Sequence, residues 1–476
     1  MEKIVTMLLI LTVFSTLVTG CNPKDSENSA TTPANNPAHS DSAANNTASN
    51  PPSSAAPQGD NRTTAVLPEI DRNITATLTI TGINPDRMDG IIQLFNFEFP
   101  NVTVVKDVVS LTSSNTRNAA AATRTRFNTQ ILSGQAGDII MTSGSNPVNF
   151  FQQRILANLH EFMYSDSQFN HADYFMNVIE AYSYNGNLYV MPLENSIEML
   201  GFYEPLAGGY SFTDNSDVWE LTQALNEAQI LADQNGLKGR NYIYPTPDYH
   251  LFGTLLSLNY AEFINLETGK VNINCAEFID MLKYVKGLAD AGYISSSERA
   301  NNVSDGAPVI SRGDTGQAPI ALQSDVFGIR PLTGKNGELN IAANAGNTTL
   351  AINQQSTNKR LAWEFIKCAL SYEAQSSPNS RGNPPINRVA LRVYIEHRYM
   401  MAKDTSQHGD ADEAEAIRQY EELIVSLNDR VSKYTFTDFD IDDIIFEQIT
   451  AYFEGKISAE ETAQILQRKI SMVIEG

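Results

Sequence analysis

Asn185-Gly186-Asn187-Leu188-Tyr189-Val190-Met191-Pro192-Leu193-Glu194-Asn195-Ser196 is the stretch on which the fold of this chain turns. A glycine between two asparagines supplies a turn. A short apolar strand follows and stops at Pro192, because proline has no N–H to give to a ladder. Glu194, Asn195 and Ser196 then stand just past the strand end, where an open α/β sheet presents polar groups to a ligand. The same pattern also fits a strand and turn of an α/β enzyme, so it speaks for an α/β class before it speaks for a function.

Upstream, residues 74–81 alternate Ala76, Leu78 and Ile80 with threonines and then turn at Gly82-Ile83-Asn84-Pro85. Met88, Ile91, Ile92, Phe95 and Phe99 recur at helical spacing, and residues 102–109 supply a second strand, which predicts a right-handed βαβ unit with a parallel sheet. The pattern repeats as a helix ending at Ser133-Gly134, a buried strand at Gly137-Asp138-Ile139-Ile140-Met141, and the polar loop Ser143-Gly144-Ser145-Asn146. Asp138 invites a catalytic reading, but a carboxylate at a strand start more often caps a neighbouring segment.

Downstream, Trp219 falls in the first turn of an N-capped helix whose Leu221, Leu225 and Ala228 share one face, which makes it a core residue. Tyr249 and Phe252 open the next helix, and aromatic rings there can pack on the flat C–H faces of a sugar. His250, between them, has no Ser or Cys motif to serve. Asp325 and Phe327 occupy a loop after the strand Gly316 to Leu322, and Arg381 and Asn383 lie in a proline-rich loop. Asp438-Phe439-Asp440-Ile441-Asp442-Asp443 has the look of a calcium loop but lacks its glycine and its twelfth-position carboxylate. Acidic residues opening a helix explain it better. Ser458-Ala459-Glu460-Glu461 is a capping box before a final helix.

Composition bounds the rest. The chain has 476 residues, enough for two cores, and 55 acidic against 33 basic residues give a net charge of -22. That excludes nucleic acid or anionic lipid as a partner held by a general electrostatic patch. Lys3 and an apolar run from Ile4 to Val18 form a secretory signal too short to span a bilayer. The run ends in Leu17-Val18-Thr19-Gly20-Cys21, which resembles a bacterial lipobox and makes Cys21 the lipidated first residue of the mature chain. Residues 22–65 hold no Leu, Ile, Val, Met, Phe, Tyr or Trp, so they form a tether of about 40 Å reach. Cys275 and Cys368 do not have metal-ligand spacing, and a disulfide between them stays open. The sequence contains no G-x-S-x-G, H-E-x-x-H or phosphate-binding glycine loop.

Several of these passages together resemble extracellular solute-binding protein family 1, the maltose-binding-protein-like ligand-capturing subunits of ABC importers. They are the crossing at 185–203, Phe95-Asn96 with Phe99-Pro100, the strand and helix from Asn347 to Lys367 around Ala362-Trp363-Glu364-Phe365, and the closing Tyr452 to Ala463. The resemblance covers about residues 73 to 476 and departs from the family pattern at Gly137, where proline is usual. It implies a periplasmic-binding-protein-like type II fold, two α/β lobes joined by a multi-strand hinge with a ligand cleft between them. Under that implication residues 1–20 are the lipoprotein signal and 21–72 the tether. Residues 73–193 with 349–432 form one lobe, 204–340 with 438–476 the other, and the hinges fall near 193–203, 340–349 and 432–438.

By position in the family, the ligand-binding set becomes Asn84, Ser145, Asn146, Glu194, Asn195, Tyr249, Phe252, Asp325, Phe327, Arg381 and Asn383, with no cofactor and no metal. The implied role is capture of a small polar solute, a sugar or oligosaccharide, by a monomer. A lipid on Cys21 holds it outside a Gram-positive-type cell membrane, and ABC permease subunits receive the solute. A secreted carbohydrate-active enzyme and a sensing or adhesive lipoprotein are the alternatives.

Overall fold

The alternation at 74–82 becomes β1 (Ala76–Gly82) in the computed structural model. It describes residues 66–475 apart from 84, 111–116, 144, 146, 208, 213–215, 239–242, 245, 296–308, 316–325, 336, 338, 342–347, 378–382 and 404–412. The signal, Cys21 and residues 22–65 therefore lie outside the described residues, as do Asn84, Asn146, Asp325 and Arg381. The expected tether end at 72 is corrected, since Leu67 and Ile70 pack against the first core and the Leu67 N–H donates to the Ser165 carbonyl at 2.8 Å. From β1 the chain runs through α1 (Asp89–Glu98) into β2 (Val102–Val108), then through α2 (Arg117–Leu132) into β3 (Ile139–Met141). β1 lies between β2 and β3 and is parallel to both. Leu78 and Ile80, two residues apart on β1, and Ile139 and Ile140 of β3 are buried in one core with Phe95 and Phe127 from the helices, so the alternation read in the sequence does its packing here.

Gly137, where the family pattern has proline, is a close-packing position. A Cβ there would stand 2.6 Å from the Thr79 carbonyl oxygen, and its N–H donates to Thr81 Oγ1 at 2.8 Å. Proline would lose that donor. Gly137→Ala is expected to destabilise the chain by about 1–3 kcal/mol, the usual cost of overpacking, read as a lower urea midpoint at unchanged slope. Beside it Asp138 knits three segments: Oδ2 accepts from Thr79 N at 2.8 Å, and Oδ1 from Ser356 Oγ at 2.6 Å and Asn358 Nδ2 at 3.2 Å. Its role is the capping one.

The stretch 185–196 begins as a two-residue hairpin in which Tyr184 and Asn187 exchange both backbone bonds. Asn185 and Gly186 have φ of 48° and 74°, the left-handed pair such a turn requires. Leu188 and Val190 are buried, and the ladder itself is short, β4 (Met191–Pro192). β5 (Glu198–Tyr203), β6 (Trp219–Glu220), α3 (Leu221–Gln234), α4 (Asp248–Leu258), α5 (Ala276–Asp290), β7 (Ile310–Asp314) and β8 (Val326–Thr333) follow. Their sheet has the order β6-β8-β5-β7, with β5 antiparallel to both neighbours.

The chain then returns through β9 (Asn340–Ile341) to β10 (Thr349–Ile352). β10 is antiparallel to β3 and β4 and completes the first sheet as β2-β1-β3-β10-β4. Pro192 thus sits on an edge strand, where a missing N–H is tolerated. α6 (Lys359–Leu370), α7 (Arg388–Lys403) and α8 (Glu413–Arg430) cover this part. Next β11 (Lys433–Tyr434) pairs in parallel with β9, and α9 (Phe439–Phe453) and α10 (Ala459–Glu475) close the chain.

Buried apolar side chains form two cores. The first takes residues from Leu78 to Met199 and again from Leu339 to Phe436; the second takes Leu200 to Leu332 and Ile441 to Ile470. The backbone therefore passes between cores three times, at 199–200, 332–339 and 436–441. Trp219 and Trp363 are both fully buried, one in each core, as core residues should be. Cys275 and Cys368 are not joined by a disulfide.

Candidate functional site

At the first passage the polar run just after β4 is drawn inward. Glu194 accepts from the Thr348 backbone N–H at 2.9 Å and its hydroxyl at 2.8 Å through Oε1, and from the Asn383 N–H at 2.8 Å through Oε2. Arg87 approaches Oε1 at 3.7 Å from the solvent side. Both carboxylate oxygens are thus engaged by the outgoing crossing, the returning crossing and the proline-rich loop. Asn195 Nδ2 donates to Asn428 Oδ1 at 2.8 Å, and its backbone N–H to the Pro384 carbonyl at 2.9 Å. Glu194 and Asn195 are 8% and 1% exposed. They are cross-braces where ligand groups were expected.

Ser145 is likewise buried, with its hydroxyl closing onto the Thr142 carbonyl at 2.6 Å in the turn after β3. Asn383 is half-buried and gives its backbone N–H to Glu194. Phe252 needs correction as a stacking platform: it is fully buried, edge-on to Phe278 at 5.4 Å and to Phe453 at 6.2 Å. No ligand reaches that ring without unpacking the second core. Of Phe327 only the backbone in β8 is described, paired with Phe202.

Tyr249 does border open space. A cavity of about 430 Å³ lies between α4 and α9 and is lined by Tyr249, His250, Thr254, Ser257, Tyr260, Arg312, Thr437, Asp442 and Phe446, among others. The sequence places these residues together for ordinary reasons. The opposite faces of α4 and α9 carry Leu251, Leu255, Ile441 and Tyr452 into the second core, which turns their polar positions outward. Thr437 comes from the third passage, and the other lining residues all belong to the second lobe, so the cavity lies in that lobe beside the passage. Tyr249 and Phe446 meet edge to face at 5.3 Å and 88°.

Polar chemistry in this wall is varied. The hydroxyls of Tyr260 and Thr246 are buried and lack a well-formed hydrogen bond. Burial, reinforced by Asp442 and Asp438, pushes the Tyr260 hydroxyl well above its ordinary value, so it stays protonated and able to donate. Arg312 is paired with Glu198 across β7 and β5. Asp438 caps α9 by accepting from the Asp440 N–H at 2.8 Å, and burial raises its carboxyl above the ordinary range. The acidic run is a helix opening, as its missing glycine indicated. The wall therefore offers neutral hydroxyls, one carboxylate, one partly neutralised guanidinium, the His250 imidazole and the rings of Tyr249, Tyr260 and Phe446, a set suited to a polar ligand.

Arg312, Tyr260 and Thr437 were missed by sequence reasoning because each belongs to a different element and none sits in a motif. Only the hydroxyl-rich outer face of α4, with Thr254 and Ser257, is a signal the sequence carried.

Two α/β lobes joined by three passages are the construction of a type II periplasmic-binding fold. The family model described as bacterial extracellular solute-binding protein matches residues 108–391, more than half of the chain, and the chain belongs to that family. Solved structures agree in fold. An ABC substrate-binding protein from Listeria monocytogenes in complex with cycloalternan has a TM-score of 0.56 at 13% identity, over 84% of this chain and 100% of that one. A cyclic α-maltosyl-1,6-maltose binding protein from Arthrobacter globiformis gives 0.55 at 13%, over 84% and 99%. An ABC transporter solute-binding protein from Agrobacterium vitis with bound D-mannitol gives 0.53 at 16%, over 84% and 99%. A search of curated proteins finds no match.

Proposed function

We propose that this chain captures a neutral sugar, sugar alcohol or short oligosaccharide outside the cell and hands it to the membrane subunits of an ABC importer, tethered by a lipid on Cys21. The observation that carries the reading is the cavity at the third passage: hydroxyl groups, a carboxylate and a guanidinium arranged around the Tyr249 and Phe446 rings. Hydroxyl-rich ligands exchange hydrogen bonds with such a wall and lay C–H faces on the rings. The volume of about 430 Å³ falls within the range of small-ligand sites. Neighbours of the same fold bind cycloalternan, a cyclic maltosyl-maltose and D-mannitol. In this reading the lobes pivot at the three passages, 199–200, 332–339 and 436–441, the second of them earlier in the chain than the 340–349 expected from the sequence, and ligand favours the closed arrangement by binding it better.

The test is thermal unfolding of the whole chain against maltose, cycloalternan, D-mannitol and D-tagatose. A true ligand at 100 times its Kd adds about 2.7 kcal/mol to stability and is recovered chemically unchanged. Tyr249→Ala is expected to weaken that ligand roughly tenfold, about 1.4 kcal/mol, without altering the unliganded melt by more than a degree or two. Absence of any shift across the panel, or conversion of the sugar, overturns the reading.

A further inference from the structure

We infer that Arg124 holds the ligand-facing helix of the second lobe against the first lobe and thereby sets how readily the two close. α2 belongs to the first core through Phe127 and Ile131, and α9 to the second through Ile441, Ile445 and Ile449. Between them Arg124 Nη2 donates to Asp443 Oδ2 at 2.5 Å, and the guanidinium carbon lies 5.1 Å from the centre of the Phe439 ring. The two charged side chains are 13% and 28% exposed, so solvent screens them little. Asp442, one residue earlier, lines the cavity. The first turns of α9 thus present one carboxylate to the ligand space and the next to the opposite lobe.

Charge in this place explains why the contact matters. Asp438, Asp440, Asp442 and Asp443 crowd the opening of α9. The helix N-terminus tolerates them, but they repel one another, and Arg124 is a cation that the first lobe brings to them. A second ion pair between the lobes among the described residues, Arg430 with Asp217 at 2.7 Å, is 37% and 76% exposed, too open to weigh much. Separating the lobes breaks the Arg124 contact. A contact made in only one of two states shifts their ratio by its own free energy.

The inference rests on the two lobes moving, not on the identity of the ligand, so its test uses the ligand-free chain. Nitroxides on unnatural residues at exposed Phe97 and Met472, 90% and 69% accessible, report the distance between lobes by double electron–electron resonance and leave Cys275 and Cys368 alone. Arg124→Ala and the milder Arg124→Gln are expected to cut the short-distance population relative to the long one by about tenfold. The charge swap R124D/D443R restores it, and Arg430→Ala leaves it as in the parent. An unchanged distribution in both Arg124 variants, or a swap no better than Arg124→Ala, overturns the assignment. A ligand panel without a binder would sink the sugar reading and leave this measurement standing.

Discussion

Glu194→Ala is expected to lower the stability of the chain by about 3–5 kcal/mol, because it removes the acceptor for one buried and one half-buried backbone N–H and a buried hydroxyl at once. The Thr348 and Asn383 amides point at the carboxylate from 2.9 and 2.8 Å, the first in a buried and the second in a half-buried setting. Each unsatisfied buried donor costs about 1–3 kcal/mol. Glu194→Gln is little better, since its new NH₂ group faces donors rather than acceptors. The measurement is the guanidinium midpoint at unchanged slope. If Glu194 were a ligand contact instead, the alanine variant would melt like the parent and fail only in binding. A loss under about 1 kcal/mol would favour that view and remove the cross-brace from the account.

The contrast between these two views of Glu194 marks what the sequence could and could not say. Its place after a strand-ending proline was legible, and so was its polarity. Its partners were not, because Thr348 and Asn383 arrive from far along the chain, brought in by the return of β10 and by the loop before α7. Phe252 failed for a related reason. Tyr249 and Phe252 are three residues apart on one helix, and aromatic character alone does not say which of them faces the cavity. Phe278 and Phe453, packed against Phe252, settle it.

Elements whose reasons are local came through. The alternation of β1, the helical spacing of Phe95 and Phe99 and the Asn185-Gly186 turn are each dictated by neighbours in sequence. Gly137 shows the limit again: its need for glycine lies in Thr79, across the sheet, so it read as a departure from a pattern when it is a close-packing requirement. Arg124 carries no signal at all, since one arginine on a polar helix face looks like any solvated charge until α9 is set beside it.

Asp166→Asn is expected to cost about 3–5 kcal/mol at pH 7, the range for breaking a buried ion pair, with a pH dependence that distinguishes this mechanism from lost packing. Asp166 is 6% exposed. Its Oδ2 accepts from Trp363 Nε1 at 2.8 Å and from Lys367 Nζ at 2.7 Å, and Oδ1 accepts from the Gln168 N–H at 2.9 Å. Burial pushes the carboxyl up, but the bonds from Lys367 and Trp363 outweigh it and hold the group below its ordinary value. A carboxyl whose folded value is depressed contributes stability above its unfolded value, about 3.9, and loses it as pH falls through the folded one.

The gap between parent and variant should therefore be constant from pH 7 to about 5 and narrow below about pH 4, as the parent takes up the proton that asparagine never needed to release. Trp363→Phe separates the remaining part. It keeps most of the ring packing against Phe162 and Phe169, removes the Nε1 donor and should cost about 1.5–3 kcal/mol, the range for a bond to a charged group. Chemical denaturation at each pH reads both variants. A gap that stays constant down to pH 2.5 would mean that Asp166 acts as shape rather than charge. In that event α6 would be held to the first lobe by its buried apolar face, Leu361, Trp363, Phe365 and Ile366, without help from the carboxylate's charge.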